Sequence, residues 1–140
     1  MMVCLGNICR SPIAEVYLKY HHPELSVYST GLSAMVGWSA DEHSIAVMNE
    51  KGIDLSQHQA QQITADLVSH SDLILVMENK QQDALVNRFQ SALGKVHLIG
   101  KWNDNEEIPD PYMKDINYFR KVSSRIESGL DDWRKEIWLK

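Results

Sequence analysis

A cysteine, five residues, an arginine and a serine follow one another in Val3-Cys4-Leu5-Gly6-Asn7-Ile8-Cys9-Arg10-Ser11-Pro12. These types at this spacing can make a nucleophile and an anion clamp on one short loop. A thiolate attacks where a thiol does not, and a helix N-terminus or a neighbouring cation favours the thiolate. Cys4 has both in reach if the loop curls so that Arg10 comes over it. Backbone N–H groups turned inward along Leu5, Gly6, Asn7, Ile8, Cys9, Arg10 and Ser11 would nest three phosphate oxygens. Gly6 and Asn7 tolerate the left-handed backbone that such a curl requires. The planar guanidinium of Arg10 can hold two oxygens at once, which lysine does less well. The chemistry implied is phosphoryl transfer, with sulfur on one side of phosphorus and the leaving oxygen on the other. Such a string also arises by chance, and buried cysteines are usually inert packing. Its placement between a strand and a helix start favours the reactive reading.

The elements that must position the loop follow from patterning. Met1–Leu5 is a short apolar run, consistent with a buried strand. Ser11 then Pro12 reads as an N-cap and a first helical residue. The helix should run to Tyr20 with Ile13, Val16, Tyr17 and Tyr20 on one face, and His21-His22 at its end. Leu25–Thr30 alternates as a strand. Leu32–Ala40 is a loop, and Glu42–Lys51 a helix with Ile45, Val47 and Met48 inward, stopped by Gly52. Thr64 caps a short helix. The unbroken apolar run Leu73–Met77 suits a central strand buried on both faces. Asn79–Phe89 is helical, Lys95–Ile99 is the fourth strand, and a long loop carries Pro109-Asp110-Pro111. Phe119, Val122, Ile126, Leu130, Trp133 and Ile137 step by three or four residues and define a last helix. Strands alternating with helices predict an α/β single domain over residues 1–140, a four-stranded parallel sheet with helices on both faces. Ligands in such sheets sit beyond the carboxyl ends of the strands. The loop after the first strand lies there.

The totals exclude several classes. At 140 residues, with 44% hydrophobic and 24% charged residues, this is an ordinary globular chain. A net charge of −5 without a basic stripe argues against a nucleic-acid partner. Positive potential for an anion must then be local, from Arg10, amides and a helix end. No apolar run approaches a membrane span, and no signal peptide is evident. Two cysteines in one loop are no secreted disulfide framework, so a cytoplasmic protein is expected. The six histidines show no metal-ligand spacing, and neither metal nor other cofactor is expected.

Cys4-Leu5-Gly6-Asn7-Ile8-Cys9-Arg10-Ser11-Pro12 resembles the phosphate-binding loop of the low-molecular-weight protein tyrosine phosphatases. The similarity continues through Ser29-Thr30-Gly31, His58-Gln59-Ala60-Gln61-Gln62-Ile63, Val76-Met77-Glu78 and Asp110-Pro111-Tyr112, in order over nearly the whole chain. Gly100-Lys101-Trp102 and Ile108-Pro109-Asp110-Pro111-Tyr112 resemble the bacterial branch associated with exopolysaccharide and capsule tyrosine kinases. The resemblance implies that Cys4 attacks phosphorus to form a phosphocysteine and that Arg10 stabilises the transition state. Asp110 protonates the leaving phenolate and then activates water. Ser11 hydrogen-bonds the sulfur, and Asn7, with Ser29 and His58 as supports, fixes the loop. It also implies a phosphotyrosine protein as partner, an autophosphorylating bacterial tyrosine kinase, with no nucleic acid, no membrane insertion and a monomeric enzyme. Residue chemistry alone would not single out Asp110, although the prolines on both sides stiffen its loop.

Cys9 reads equally as a small buried side chain or, as the family implies, a reversible disulfide partner that protects Cys4. Tyr112 is expected as an aromatic wall of the substrate pocket, with Met35 and Trp38 as candidates for the other wall. Met35 and Trp38 could also be plain packing, as Trp102 and Trp133 are expected to be. Three features depart from the family. Few apolar residues precede Cys4, which predicts a clipped first strand with lowered stability, or a missing native start. Gln61 stands where arginine is frequent. Met113 follows Tyr112 where some members carry a second aromatic. An arsenate reductase of related fold would need further cysteines. An arginine phosphatase favours threonine where Ile8 stands. A non-catalytic anion-binding module would have no use for nucleophile, clamp and acid together.

Overall fold

The computed structural model describes residues 1–139. Four parallel strands form one sheet: β1 (Met2–Cys4), β2 (Ser29–Gly31), β3 (Ile74–Val76) and β4 (Val96–Leu98), in the order β2-β1-β3-β4. In register, Cys4 lies beside Gly31, Val3 beside Val76, and Val76 beside Leu98. The helices are α1 (Arg10–His21), α2 (Glu42–Asn49), α3 (Ala65–His70), α4 (Asn79–Arg88) and α5 (Ile116–Trp133), the last running on into a π-helical turn over Arg134–Trp138.

Side chains alternate across a strand, so a doubly covered sheet builds two cores from one apolar run. Met2, Cys4, Leu75 and Met77 join Ile13, Ala14, Val122, Ile126 and Trp133 of α1 and α5 on one face. Val3, Ile74, Val76, Val96 and Leu98 join Val68 of α3 and Leu85 of α4 on the other. Helix α5 comes close to the sheet because Gly129 has no side chain. A Cβ there would lie 2.5 Å from Ile99 Cγ2. Among the described residues, no helix is long and apolar enough to cross a membrane.

Four expectations are corrected. Helix α1 begins at Arg10, not at Pro12, so Cys9 is the cap residue and makes no side-chain cap hydrogen bond. Ser11 lies inside the first turn with its hydroxyl committed elsewhere. Pro12 is accepted there because first-turn amides have no helical partner in any case. Tyr20 is 61% exposed and Ile137 is 45% exposed, so each falls off the buried stripe of its helix. The second strand is confined to its last residues, although Met2 N still donates to Tyr28 O. Elsewhere the caps follow the sequence: Thr64 accepts from Leu67 N, and Gly52 takes φ +74° after α2.

Candidate active site

The loop from Cys4 to Cys9 is held from outside by its carbonyls. Cys4 O accepts from Leu32 N (3.0 Å), Leu5 O from Ser33 N (2.9 Å), Gly6 O from Met35 N (3.0 Å) and Ile8 O from Asp41 N (2.8 Å). His58 Nε2 donates to Asn7 O at 2.7 Å and Ser44 Oγ to Cys9 O at 3.3 Å. With its carbonyls drawn outward, the loop turns its amides to the concave side, the arrangement that binds anions. The reversal falls on Asn7, at φ +60°, while Gly6 stays outside the left-handed region. Asparagine enters that region more readily than most residues. Gly31 permits the close approach of β2, because a Cβ there would sit 2.6 Å from Leu5 O.

Asn7 is fully buried and its side chain is fully used. Nδ2 donates to Ser11 Oγ (2.8 Å) and to Ser29 Oγ (3.0 Å), and Oδ1 accepts from Gln61 N (2.9 Å). Ser29 Oγ donates in turn to Glu15 Oε1 at 2.7 Å. Gln61 Nε2 donates to Ser29 O at 2.9 Å, so glutamine serves this network where arginine was the expected residue. Ser11 Oγ lies 3.0 Å from Cys4 Sγ. The hydroxyl therefore addresses the thiol and does not cap the helix.

Arg10 is 2% exposed. Nη1 donates to Glu78 Oε1 (2.6 Å) and to Ile108 O (2.9 Å), and Nη2 lies 3.8 Å from Asp110 Oδ2. Its Nε is buried and has no partner within the protein. A buried donor left unsatisfied is costly, and a bound anion would satisfy it. Ile108 N donates to Met77 O at 2.9 Å. The stretch before Asp110 is thereby tied both to the end of β3 and to Arg10, which is how a residue a hundred positions away reaches the loop. Asp110 Oδ1 accepts from Tyr112 N at 3.1 Å.

A cavity of about 170 Å³ opens here, lined by Cys4, Leu5, Gly6, Ile8, Cys9, Arg10, Ser33, Met35, Asp110 and Tyr112. Asn7, Ser11, Ser29 and His58 stand behind it as braces. Trp38 is outside this lining and is 54% exposed. Gly37, at φ +84°, turns the chain away after Met35, and Trp38 O is engaged by Ala60 N. Trp133 is buried, as expected of packing, whereas Trp102 leans edge-on against it at 5.5 Å and is 44% exposed. A larger cavity of about 430 Å³ lies at the opposite, amino ends of the strands, among Met1, Met2, Tyr28, Leu73 and Trp138, and its lining holds neither cysteine nor arginine. Both cysteines are free and buried. Burial, then Asp41 and Asp110, push the Cys9 thiol far up, so Cys9 stays protonated.

Sequence reasoning gave no part to Glu78, Ser33 or Glu15. Glu78 stood in a quoted motif, directly after the β3 run, and a charge at the carboxyl end of a central strand was the available signal. Ser33 and Glu15 carried none.

Fold and loop together place a buried thiol and a buried guanidinium on one cavity at the switch point of a parallel sheet. The family model of low molecular weight phosphotyrosine protein phosphatase matches residues 1–140. The chain is 47% identical over 133 residues to the probable low molecular weight protein-tyrosine-phosphatase AmsI of Erwinia amylovora, covering 95% of this chain and 92% of that one. It is 43% identical over 137 residues to the low molecular weight protein-tyrosine-phosphatase Ptp of Acinetobacter johnsonii, covering 98% and 96%. Among solved structures, Wzb of Vibrio vulnificus in complex with benzylphosphonate superposes with a TM-score of 0.93 at 38% identity, covering 97% of this chain and 96% of that one. The chain belongs to the low molecular weight phosphotyrosine protein phosphatase family and is a protein-tyrosine-phosphatase.

Proposed function

We propose that Cys4, Arg10 and Asp110 carry the hydrolysis of phosphotyrosine in two steps. The Cys4 thiolate attacks phosphorus, an S–P bond forms and the P–O bond to the ring breaks. Asp110 gives its proton to the departing phenolate, whose conjugate acid has a pKa near ~10 and leaves poorly unprotonated. Asp110, now a carboxylate, takes a proton from water as that water attacks phosphorus. The S–P bond breaks, phosphate leaves and the thiolate returns. Ser11 hydrogen-bonds the sulfur in both steps. The loop amides and Arg10 hold the equatorial oxygens throughout and stabilise the charge that builds on them. Met35 and Tyr112 flank the ring.

The observation that carries this reading is the buried, unpartnered Nε of Arg10, a residue that lines one cavity together with Cys4 and Asp110. The benzylphosphonate held by the related Wzb has the size and charge of a phosphotyrosine head and agrees with it. Hydrolysis of para-nitrophenyl phosphate without metal, blocked by vanadate and abolished in Cys4→Ser, is the expected result. Activity surviving Cys4→Ser overturns the mechanism.

The resemblance to the polysaccharide branch supports an autophosphorylating bacterial tyrosine kinase as the physiological substrate, met by a monomeric enzyme in the cytoplasm. Capture of such a kinase from the source cells by Cys4→Ser tests this. Cys9 would serve as redox partner. Peroxide oxidises the Cys4 thiolate to the sulfenic acid, and the Cys9 thiol condenses with it, releasing water and forming a disulfide that added thiol reduces. Both cysteines line the same cavity. Peroxide inactivation reversed by thiol in the wild type, and lost to reversal in Cys9→Ser, is the expected outcome.

A further inference from the structure

Large apolar side chains on the segments that border the cavity are left uncovered by the fold. Leu5 is 50% exposed, Val36 67%, Trp38 54%, Tyr112 42% and Met113 84%. They come from three segments that meet here. Leu5 and Tyr112 line the cavity itself. The segment carrying Val36 and Trp38 is laced to the loop, Ser33 N donating to Leu5 O and Met35 N to Gly6 O, and Trp38 N returns to Met35 O. Met113 follows Tyr112 in a turn closed by Lys114 N donating to Pro111 O at 2.9 Å. Its φ is +69°, a conformation that side chains bearing a Cβ rarely adopt, and it turns the thioether away from the body of the protein. Scattered exposed apolar residues need no explanation, but five of them on the three segments that border one binding cavity mark an interaction surface.

The charge around this surface is equally specific. Of the described residues lining the cavity, Arg10 is the only cation, and it is buried against Glu78. Asp110, 44% exposed, stands at the mouth and carries the proton of the first step when the substrate arrives. Lys80 lies 3.6 Å from Glu78 and Lys114 over the Tyr118 ring at 6.0 Å; both are exposed and neither lines the cavity. An acidic segment would find apolar surface and no cation lining the mouth other than the buried Arg10, whereas an apolar one would bury Trp38, Val36 and Met113 against itself.

We propose that the rim selects phosphotyrosine segments whose neighbouring residues are apolar, and discriminates against acidic flanks. This rests on the phosphatase reading above and names the class of substrate for that same site. Trp38, outside the ring slot, is thereby a flank contact and not a wall of the slot. Met, Trp and Val surfaces suit such a role because they accept varied apolar partners without fixed hydrogen bonds.

The test compares two phosphotyrosine peptides of equal length, one with leucine and valine on both sides of the phosphotyrosine and one with aspartate and glutamate, alongside para-nitrophenyl phosphate. Expected is a kcat/KM at least about tenfold higher for the apolar peptide, the scale of one or two apolar side chains partly buried. Met113→Glu and Val36→Glu each lower that ratio about fivefold or more and leave para-nitrophenyl phosphate turnover unchanged. Equal or better turnover of the acidic peptide, or variants that leave the ratio intact, overturns the proposal. A concentration-dependent dimer that Met113→Glu dissolves would place a second copy of the chain on the rim and overturn it also. Failure to hydrolyse para-nitrophenyl phosphate at all would instead remove the phosphatase reading on which it rests.

Discussion

The loop at residues 4–11 and the stretch at residues 108–112 meet in one cavity, yet they are built in opposite ways. Apart from Leu5 and Gly6 the loop is buried, and it is over-determined: its carbonyls are taken up by residues 32, 33, 35, 41, 44 and 58, and Asn7 ties Ser11, Ser29 and Gln61 together. The acid stretch is anchored only up to Ile108, and beyond it the Asp110 side chain is 44% exposed, held by the Tyr112 amide and a 3.8 Å approach to Arg10. The difference matches the tasks proposed for them. A cradle for transition-state charge works by being rigid before the substrate arrives. A group that must give a proton and then collect one from water needs access to water.

That contrast can be broken, and the largest effect should come from the cradle. Arg10→Lys keeps one charge but loses the fork and the buried Nε, and kcat/KM should fall about 10²–10³-fold with weakened vanadate inhibition. Near wild-type turnover would show that the guanidinium geometry is not used. Asp110→Asn should cost about 10²-fold in kcat/KM on phenyl phosphate and far less in kcat/KM on para-nitrophenyl phosphate, whose leaving group needs no proton. Equal slowing of both would remove Asp110 from the acid role. Asn7→Ala leaves Ser11, Ser29 and the Gln61 amide short of a partner, each worth about 1–3 kcal/mol when buried. A lowered Tm together with at least about tenfold lower kcat is expected; an unchanged Tm would mean that the loop is not held as described.

Residue spacing alone carried the cradle, whereas the braces Asn7, Ser29 and His58 came through family likeness, for a physical reason. Cys4, Arg10 and the residues between them are local, so their spacing along the chain is their spacing in the curl. The sheet and α5 were equally legible, because burial on two faces and a 3.6-residue stripe both write themselves into residue type. Ser11 misled, since a serine before proline is a helix cap unless something claims its hydroxyl, and here Cys4 and Asn7 do. Trp38 misled because one glycine turn, Gly37, decides which way it faces. Glu78, Ser33 and Glu15 act through contacts that no local pattern encodes. Asp110 reached the site through family likeness, because its route runs through Ile108, Met77 and Arg10.

The smallest expected effect separates the two cysteines. Burial first, then Asp41 and Asp110, hold the Cys9 thiol far above its ordinary value. In the unfolded chain it ionises near ~8.5, so above that pH the unfolded state binds fewer protons and stability falls as pH rises. Tyr17, pushed up to about 12 by burial and then by its hydrogen bond to Asp131, adds a second decline above its unfolded value near ~10. Tm should therefore drop on the alkaline side, and Cys9→Ala should remove the earlier part of the drop. A Tm profile identical in the variant would contradict the assignment.

The division of labour between the two regions is tested most directly by trapping the intermediate. Asp110→Asn should still be phosphorylated by para-nitrophenyl phosphate, since the cradle attacks unaided when the leaving group is good, but should hydrolyse the product slowly. Rapid quenching and mass spectrometry should find one phosphoryl group on the peptide containing Cys4, absent when Cys4→Ser is added. An unmodified Cys4 during turnover, or a phosphoryl group on any other residue, would contradict the account.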